Sequence, residues 1–233
     1  MKTKGWVVAV YSLIAAGILL AAHWGSHTVT VIAENTPVIR AHRILIDPGH
    51  GGIDGGALSI SGRQESMYNL EIALRLRDLL TFLGYETEMT RTEDISIYKT
   101  GDTIAQKKAS DLKERVRIAN SSENTILLSI HQNMFSDSQY SGAQVFYSKT
   151  KDSKELAEQL QQTLTEVLNP INGRKIKRSN GVYLMEHIHC PGVLIECGFL
   201  SNPEEEFLLR SAVYQKKLCC AISCGIIQHL SNT

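Results

Sequence analysis

Apolar residues along this chain follow two different periods. RILID (43–47), TILLSI (125–130) and GVLI (192–195) are continuous apolar runs of strand length, the pattern of strands buried on both faces, while ETEMTR and AQVFYS alternate as less central strands do. Between them the period lengthens to that of a helix. From Ser66 to Leu83, Leu70, Ala73, Leu74, Leu76, Leu80 and Leu83 make one face and Glu71, Arg75 and Asp78 the other, and Gly84 stops the helix. Further helices are predicted over Asp111 to Ala119, Ser153 to Leu168 (Leu156, Leu160, Leu164 and Val167 on one stripe) and Val213 to Leu230. Strands alternating with helices predict a single α/β domain, with a mostly parallel or mixed central sheet of about six strands flanked by helices. The polar stretches 92–108 and 169–180 read as loops, the second carrying Arg174, Lys175, Lys177 and Arg178.

The N-terminus breaks this pattern. Lys2 and Lys4 precede an uncharged run from Trp6 to Trp24, and Lys and Arg are then absent until Arg40. That is the arrangement of a signal peptide or of a membrane anchor, and the run approaches the roughly 20 residues that span a bilayer. Residues 1–40 are therefore expected to be a targeting or anchoring segment with its linker. Residues 41–233 are expected to form one domain, exported and either membrane-anchored or secreted. Among the 233 residues Lys plus Arg equals Asp plus Glu at 24 each, so no global field draws the chain to nucleic acid. The five cysteines, Cys190, Cys197, Cys219, Cys220 and Cys224, lie late in the chain and mostly in apolar patterns, which reads as free thiols. The HIHC run (187–190) has no second CxxC or HxxxH to complete a structural zinc site.

Candidate chemistry gathers where the buried strands end. RILID runs into DPGHGGIDGGA, TILLSI into His131 and GVLI into Glu196. Ligands of open α/β sheets collect at the carboxyl ends of the strands, so one shared site is expected. The glycine-rich turn is no dinucleotide fingerprint, because Asp54 stands where a glycine is required, and no GK[ST] follows. Its glycines instead let the backbone turn tightly and present His50. His50, His131 and Glu65, at the start of the first helix, offer two imidazoles and one carboxylate. Three protein ligands with a fourth position open are the set of a catalytic zinc ion, one per chain. Glu196 at the same edge can take a proton from water and return it to a leaving amine. Cys197 beside it is a competing nucleophile, but no histidine is assigned to activate it once both strand-end imidazoles, His50 and His131, bind metal.

ILIDPGHGGIDGGA, QESMYNLEIALRL, ERVRIAN, LLSIHQN and VLIECGFLSNPEE, in this order, resemble the zinc-dependent N-acetylmuramoyl-L-alanine amidases of the type 3 catalytic family over about residues 42–230. The resemblance implies zinc ligands at His50, Glu65 and His131 and a catalytic glutamate at Glu196. It also implies cleavage of the amide between the lactyl group of N-acetylmuramic acid and L-alanine of the peptidoglycan stem peptide. Within the family, the small size, the apolar N-terminus and DTIAQKKASDLKERV look like the sporulation amidases that prepare spore cortex for muramic-δ-lactam formation and germination. Gly55, Gln132 and Cys197 depart from residues common in the family, and none of them is a ligand. The link from His131 to Ala143 leaves no room for the autoinhibitory helix of some cell-division relatives, which motivates an accessory activator protein as a possible partner beside peptidoglycan. Two alternatives stay open on the residues: a zinc carboxypeptidase acting on stem peptides, and a non-catalytic wall-binding module.

Overall fold

The computed structural model describes residues 42–232, so the expected targeting or anchoring segment, 1–40, lies outside the described residues. Among the described residues no helix is long and apolar enough to cross a membrane. Six strands, β1 (Arg43–Pro48), β2 (Thr87–Met89), β3 (Thr125–Asn133), β4 (Gln144–Tyr147), β5 (Lys177–Arg178) and β6 (Gly192–Phe199), form one sheet in the order β2-β1-β3-β6-β4-β5. β2, β1, β3 and β6 are parallel, whereas β4 runs antiparallel to β6 and parallel to β5. The sheet is thus mixed and mostly parallel, as the apolar runs predict.

Among the described residues six helices flank it: α1 (Glu65–Phe82), α2 (Ile104–Ala119), α3 (Ser153–Leu168), α4 (Tyr183–His187), α5 (Pro203–Arg210) and α6 (Ala212–Ser231). On one face, Ile44, Ile46, Leu128, Ile130, Val193 and Ile195 pack with Ile72, Leu76 and Leu80 of α1, Leu156 and Leu160 of α3, and Ile222 and Ile226 of α6. Each of these fully buried side chains contributes about 1.5–3 kcal/mol of apolar burial. The other face is thinner. There Leu45, Leu127 and Leu194 meet Ala119 of α2, Leu184 and Met185 of α4, and Ile188.

The helices depart from the sequence reading at their ends. α2 starts at Ile104, seven residues before Asp111, because Thr103 and Gln106 form a capping box: Gln106 N donates to Thr103 Oγ1 (3.2 Å) and Thr103 N to Gln106 Oε1 (3.1 Å). Its first turn is solvated, with Ile104 exposed, so it carries no apolar stripe to betray it. The segment 92–108 is accordingly only partly loop, and 169–180 contains the short strand β5. α4 and α5, five and eight residues long, have no counterpart in the apolar periodicity; α5 is started by Asn202, whose side chain accepts from Glu204 N and Glu205 N, followed by Pro203. All five cysteines are free, with Cys190, Cys197 and Cys219 buried.

Candidate active site

β1 ends at Pro48, and the ladder continues one residue further through Gly49 N donating to Ile130 O at 3.0 Å. His50 then takes a left-handed backbone (φ 61°), and Gly51 and Asp54 close a tight turn by exchanging main-chain hydrogen bonds. The turn points the His50 ring at α1, where Glu65 is the first residue. Gly49 permits a close approach, because a Cβ there would lie 2.1 Å from Nε2 of His131. Gly56 (φ 70°) does the same on the other side, where a Cβ would meet Glu65 Oε2 at 2.6 Å.

His50, Glu65 and His131 meet. Nε2 of His50 is 3.3 Å from Glu65 Oε2 and Nδ1 of His131 is 3.0 Å from Glu65 Oε1, with the two imidazoles edge to face at a centroid distance of 5.0 Å. Their ligand atoms all lie within 4.8 Å of one another, and this is the one such group among the described residues. HIHC forms none: His187 Nδ1 bonds Tyr183 O and its ring stacks on Tyr183, while Cys190 is buried in the thin core.

Glu65 is held from several sides. Ala57 N donates to Oε2 (3.0 Å), and Gln132 N (3.1 Å) and Asn69 Nδ2 (3.3 Å) donate to Oε1. Burial alone would raise its carboxyl, but the hydrogen bonds and charges of His131 and His50 outweigh that and hold it well below the usual carboxylate range. His50 responds in the opposite sense. Burial would lower it, yet Glu65 and then Asp54, whose Oδ2 is 2.9 Å from Nδ1, raise it to about 9. The carboxylates thus call for a positive charge at this point, which a proton or a bound metal ion would supply. Asp54 is itself paired with Lys108 Nζ at 2.7 Å and faces Nδ1 of His50, so it favours the tautomer that leaves Nε2 free.

Glu196 stands directly across from His131 in the β3–β6 register and across from Gln144 on β4. Its Oε2 is shielded from solvent and has no hydrogen-bond partner among the described residues. Burial, only partly offset by the charges of His131 and His50 and reinforced by Glu65, pushes its pKa up to about 7. A carboxyl balanced between its two protonation states near neutrality is suited to taking and returning a proton. Cys197, the next residue, turns to the opposite face into the main core, where burial pushes its thiol up further.

A cavity of about 350 Å³ opens beside His50 and His131, walled by Ile53, Leu112 and Tyr183. A smaller one of about 200 Å³ holds Glu196 with Phe146, Ser179 and Asn180, and both cavities share Val182 and Leu194. The wall between them comes from the segment leading into α4. Sequence reasoning missed that wall, together with the contacts that Asp54, Asn69 and Gln132 make to His50 and Glu65.

The family model for N-acetylmuramoyl-L-alanine amidases, Amidase_3, matches residues 44–228. The chain belongs to that family. It is an N-acetylmuramoyl-L-alanine amidase, which sets aside the carboxypeptidase and wall-binding alternatives. It is 41% identical over 192 residues to the germination-specific N-acetylmuramoyl-L-alanine amidase of Bacillus subtilis, covering 81% of this chain and 80% of that protein. Among solved structures, the CwlD amidase from Clostridioides difficile, in complex with the GerS lipoprotein, is 42% identical with a TM-score of 0.79, covering 82% of this chain and all of that one. An N-acetylmuramoyl-L-alanine amidase from Clostridium difficile 630 is 32% identical with a TM-score of 0.72, covering 83% and 98%.

Proposed function

We propose that the chain uses zinc, one ion per molecule, to cleave the amide between the lactyl group of N-acetylmuramic acid and L-alanine, with His50, Glu65 and His131 as ligands and Glu196 as the catalytic acid and base. The convergence of the three ligand atoms within 4.8 Å carries this reading. His50 Nε2 and His131 Nδ1 face the two oxygens of Glu65 at 3.3 Å and 3.0 Å, so two imidazoles and one carboxylate would hold the ion together. When bound, zinc supplies Lewis acidity toward a carbonyl and an acidified water.

The protein does the rest. Glu196 accepts the proton of the attacking water as its oxygen adds to the lactyl carbonyl. The same carboxyl then delivers that proton to the departing nitrogen of L-alanine, so the glycan keeps a free lactyl carboxylate and the stem peptide leaves with a free amine. Asp54 keeps Nδ1 of His50 protonated throughout. Glu65, closed in by Ala57 N, Gln132 N and Asn69, does not move away as charge develops.

We further propose that the substrate is spore-cortex peptidoglycan, that residues 1–40 deliver the 41–233 domain outside the cytoplasm as a signal peptide or retained anchor, and that an accessory protein assists. The likeness to the germination-specific enzyme supports the first and the GerS complex of the 42% identical CwlD supports the last. The test is digestion of cortex-type peptidoglycan by the full chain with stoichiometric zinc, followed by mass spectrometry. Free stem peptides with intact glycan, lost on chelation and restored by zinc, are expected. Shortened stems, or turnover indifferent to chelator, contradict the proposal, and full-rate cleavage by the purified chain alone excludes an obligatory activator.

A further inference from the structure

ETEMTR and ERVRIAN place two arginines behind the His50 turn that the hydrolysis itself does not use. Both are buried, Arg91 and Arg115 each at 3% exposure. Arg115 behaves as a buried ion-pair residue, donating to Asp47 Oδ1 (2.6 Å) and Asp111 Oδ2 (2.6 Å), and it also donates to Pro48 O (2.9 Å) and His50 O (2.7 Å). Arg91 does not. Its hydrogen bonds all go to main-chain carbonyls: His50 O at 2.7 Å, Pro48 O, Gly49 O and Ser66 O at 3.0 Å, and Glu93 O at 2.9 Å.

A buried cation with no hydrogen-bonded carboxylate, set beside a second cation, is costly unless something else requires it. Here three consecutive carbonyls, Pro48, Gly49 and His50, converge on the two guanidiniums, and the first and third are shared by both. Those carbonyls belong to the segment that holds His50 in a left-handed backbone (φ 61°), uncommon for any residue but glycine, though histidine adopts it more readily than most, and its surroundings hold it there. Arg91 also binds Ser66 O in the first turn of α1, so one side chain ties the His50 turn to the element that carries Glu65. A planar fork with five donors can satisfy this set of carbonyls at once, whereas an ammonium radiates three donors from a single point.

We propose that Arg91 and Arg115 are positioning residues, a double guanidinium clamp that fixes the backbone of residues 48–50 so that Nε2 of His50 faces Glu65 before any metal ion arrives. The proposal rests on the reading of His50 as a metal ligand. Its consequence is that the clamp sets metal affinity through geometry and not through charge alone, so lysine does not replace arginine.

The test measures zinc affinity of the full-length chain by competition with a chromophoric chelator, together with stoichiometry and thermal stability. Arg91→Met and Arg91→Lys are each expected to weaken zinc binding about 10- to 100-fold while keeping one site per chain, the loss typical when support of a ligand is removed. Amide hydrogen exchange at residues 49–52 of the zinc-free protein should rise in both. Arg91→Lys keeps the buried charge and serves if Arg91→Met does not fold. Zinc affinity within twofold of the parent, with only the melting temperature lowered, makes Arg91 a plain structural residue and overturns the clamp. Full rescue by Arg91→Lys overturns it as well, in favour of a purely electrostatic role. His50→Ala separates the underlying reading: if it leaves zinc binding intact, His50 is no ligand, and that reading fails whatever Arg91 does.

Discussion

Replacing Gly49 with alanine adds one methyl group at the tightest point of the site. Gly49 has no positive φ, so its backbone accepts alanine, and only the added volume is tested. The new Cβ would lie 2.1 Å from Nε2, 2.2 Å from Cε1 and 2.7 Å from Cδ2 of His131, and ordinary contact begins at 3.4 Å, so the ring must retreat by about 1.3 Å. A retreat of that size disturbs the contact of His131 with Glu65. His131 sits on β3 between β1 and β6, and its Nδ1 is 3.0 Å from Glu65 Oε1. Overpacking of this kind costs about 1–3 kcal/mol of stability, and a displacement of about 1 Å at a reacting centre costs on the order of 10²-fold in rate. Gly49→Ala should therefore remain folded, bind zinc at least tenfold more weakly by chelator competition, a loss of the size seen when a ligand's support is disturbed, and release stem peptide about a hundredfold more slowly. Gly173→Ala is the control, since nothing lies within 4 Å of a Cβ there. A Gly49→Ala protein that matches the parent within twofold in both assays would falsify the close-packed site described above.

Glu196→Gln should keep one zinc per chain and lose about 10²- to 10⁴-fold in turnover, read by mass spectrometry of released peptide; retained turnover removes Glu196 from proton transfer. Cys197→Ser should retain substantial activity with a lowered melting temperature, because its side chain faces the core and a buried hydroxyl is costly there; loss of turnover in a stable Cys197→Ser protein would reinstate a nucleophilic cysteine. Asp47 offers a pH signature. Burial would raise its carboxyl, but Arg115, Thr90 and Ser129 together hold it below the ordinary value of 3.8. A depressed folded-state value means the stabilisation is complete above 3.8 and is lost as pH falls through the folded value. Asp47→Asn should cost on the order of 3 kcal/mol at neutral pH and flatten the acid limb of urea-unfolding stability; curves that stay parallel down to acid pH contradict the assignment.

Apolar runs and helical periodicity located β1 and three of the long helices to within a residue or two, because burial against a sheet leaves an apolar record, whereas β3 and β6 run three and four residues beyond TILLSI and GVLI, through His131 and Glu196. Elements stabilised in other ways left none. The start of α2 depends on a capping box in solvent, α5 on Asn202 and Pro203, and β5 is a two-residue edge strand whose side chains are exposed. The four residues proposed to do the chemistry were legible for a related reason: three of them follow apolar runs, and the polar positions that follow neighbouring parallel runs come side by side in the sheet, as His131 and Glu196 do.

Residue types and spacing thus determined the α/β class, the family and the candidates His50, Glu65, His131 and Glu196. Only the tertiary structure decided how they are held. Glu65 reaches the two imidazoles because α1 begins beside the strand ends, and Glu196 becomes a near-neutral carboxyl because its oxygen is shut away from water opposite His131. Arg91 and Arg115, far from His50 in the chain, grip its carbonyl. Burial, register and the convergence of carbonyls are properties of several segments at once, so no single stretch of sequence contains them.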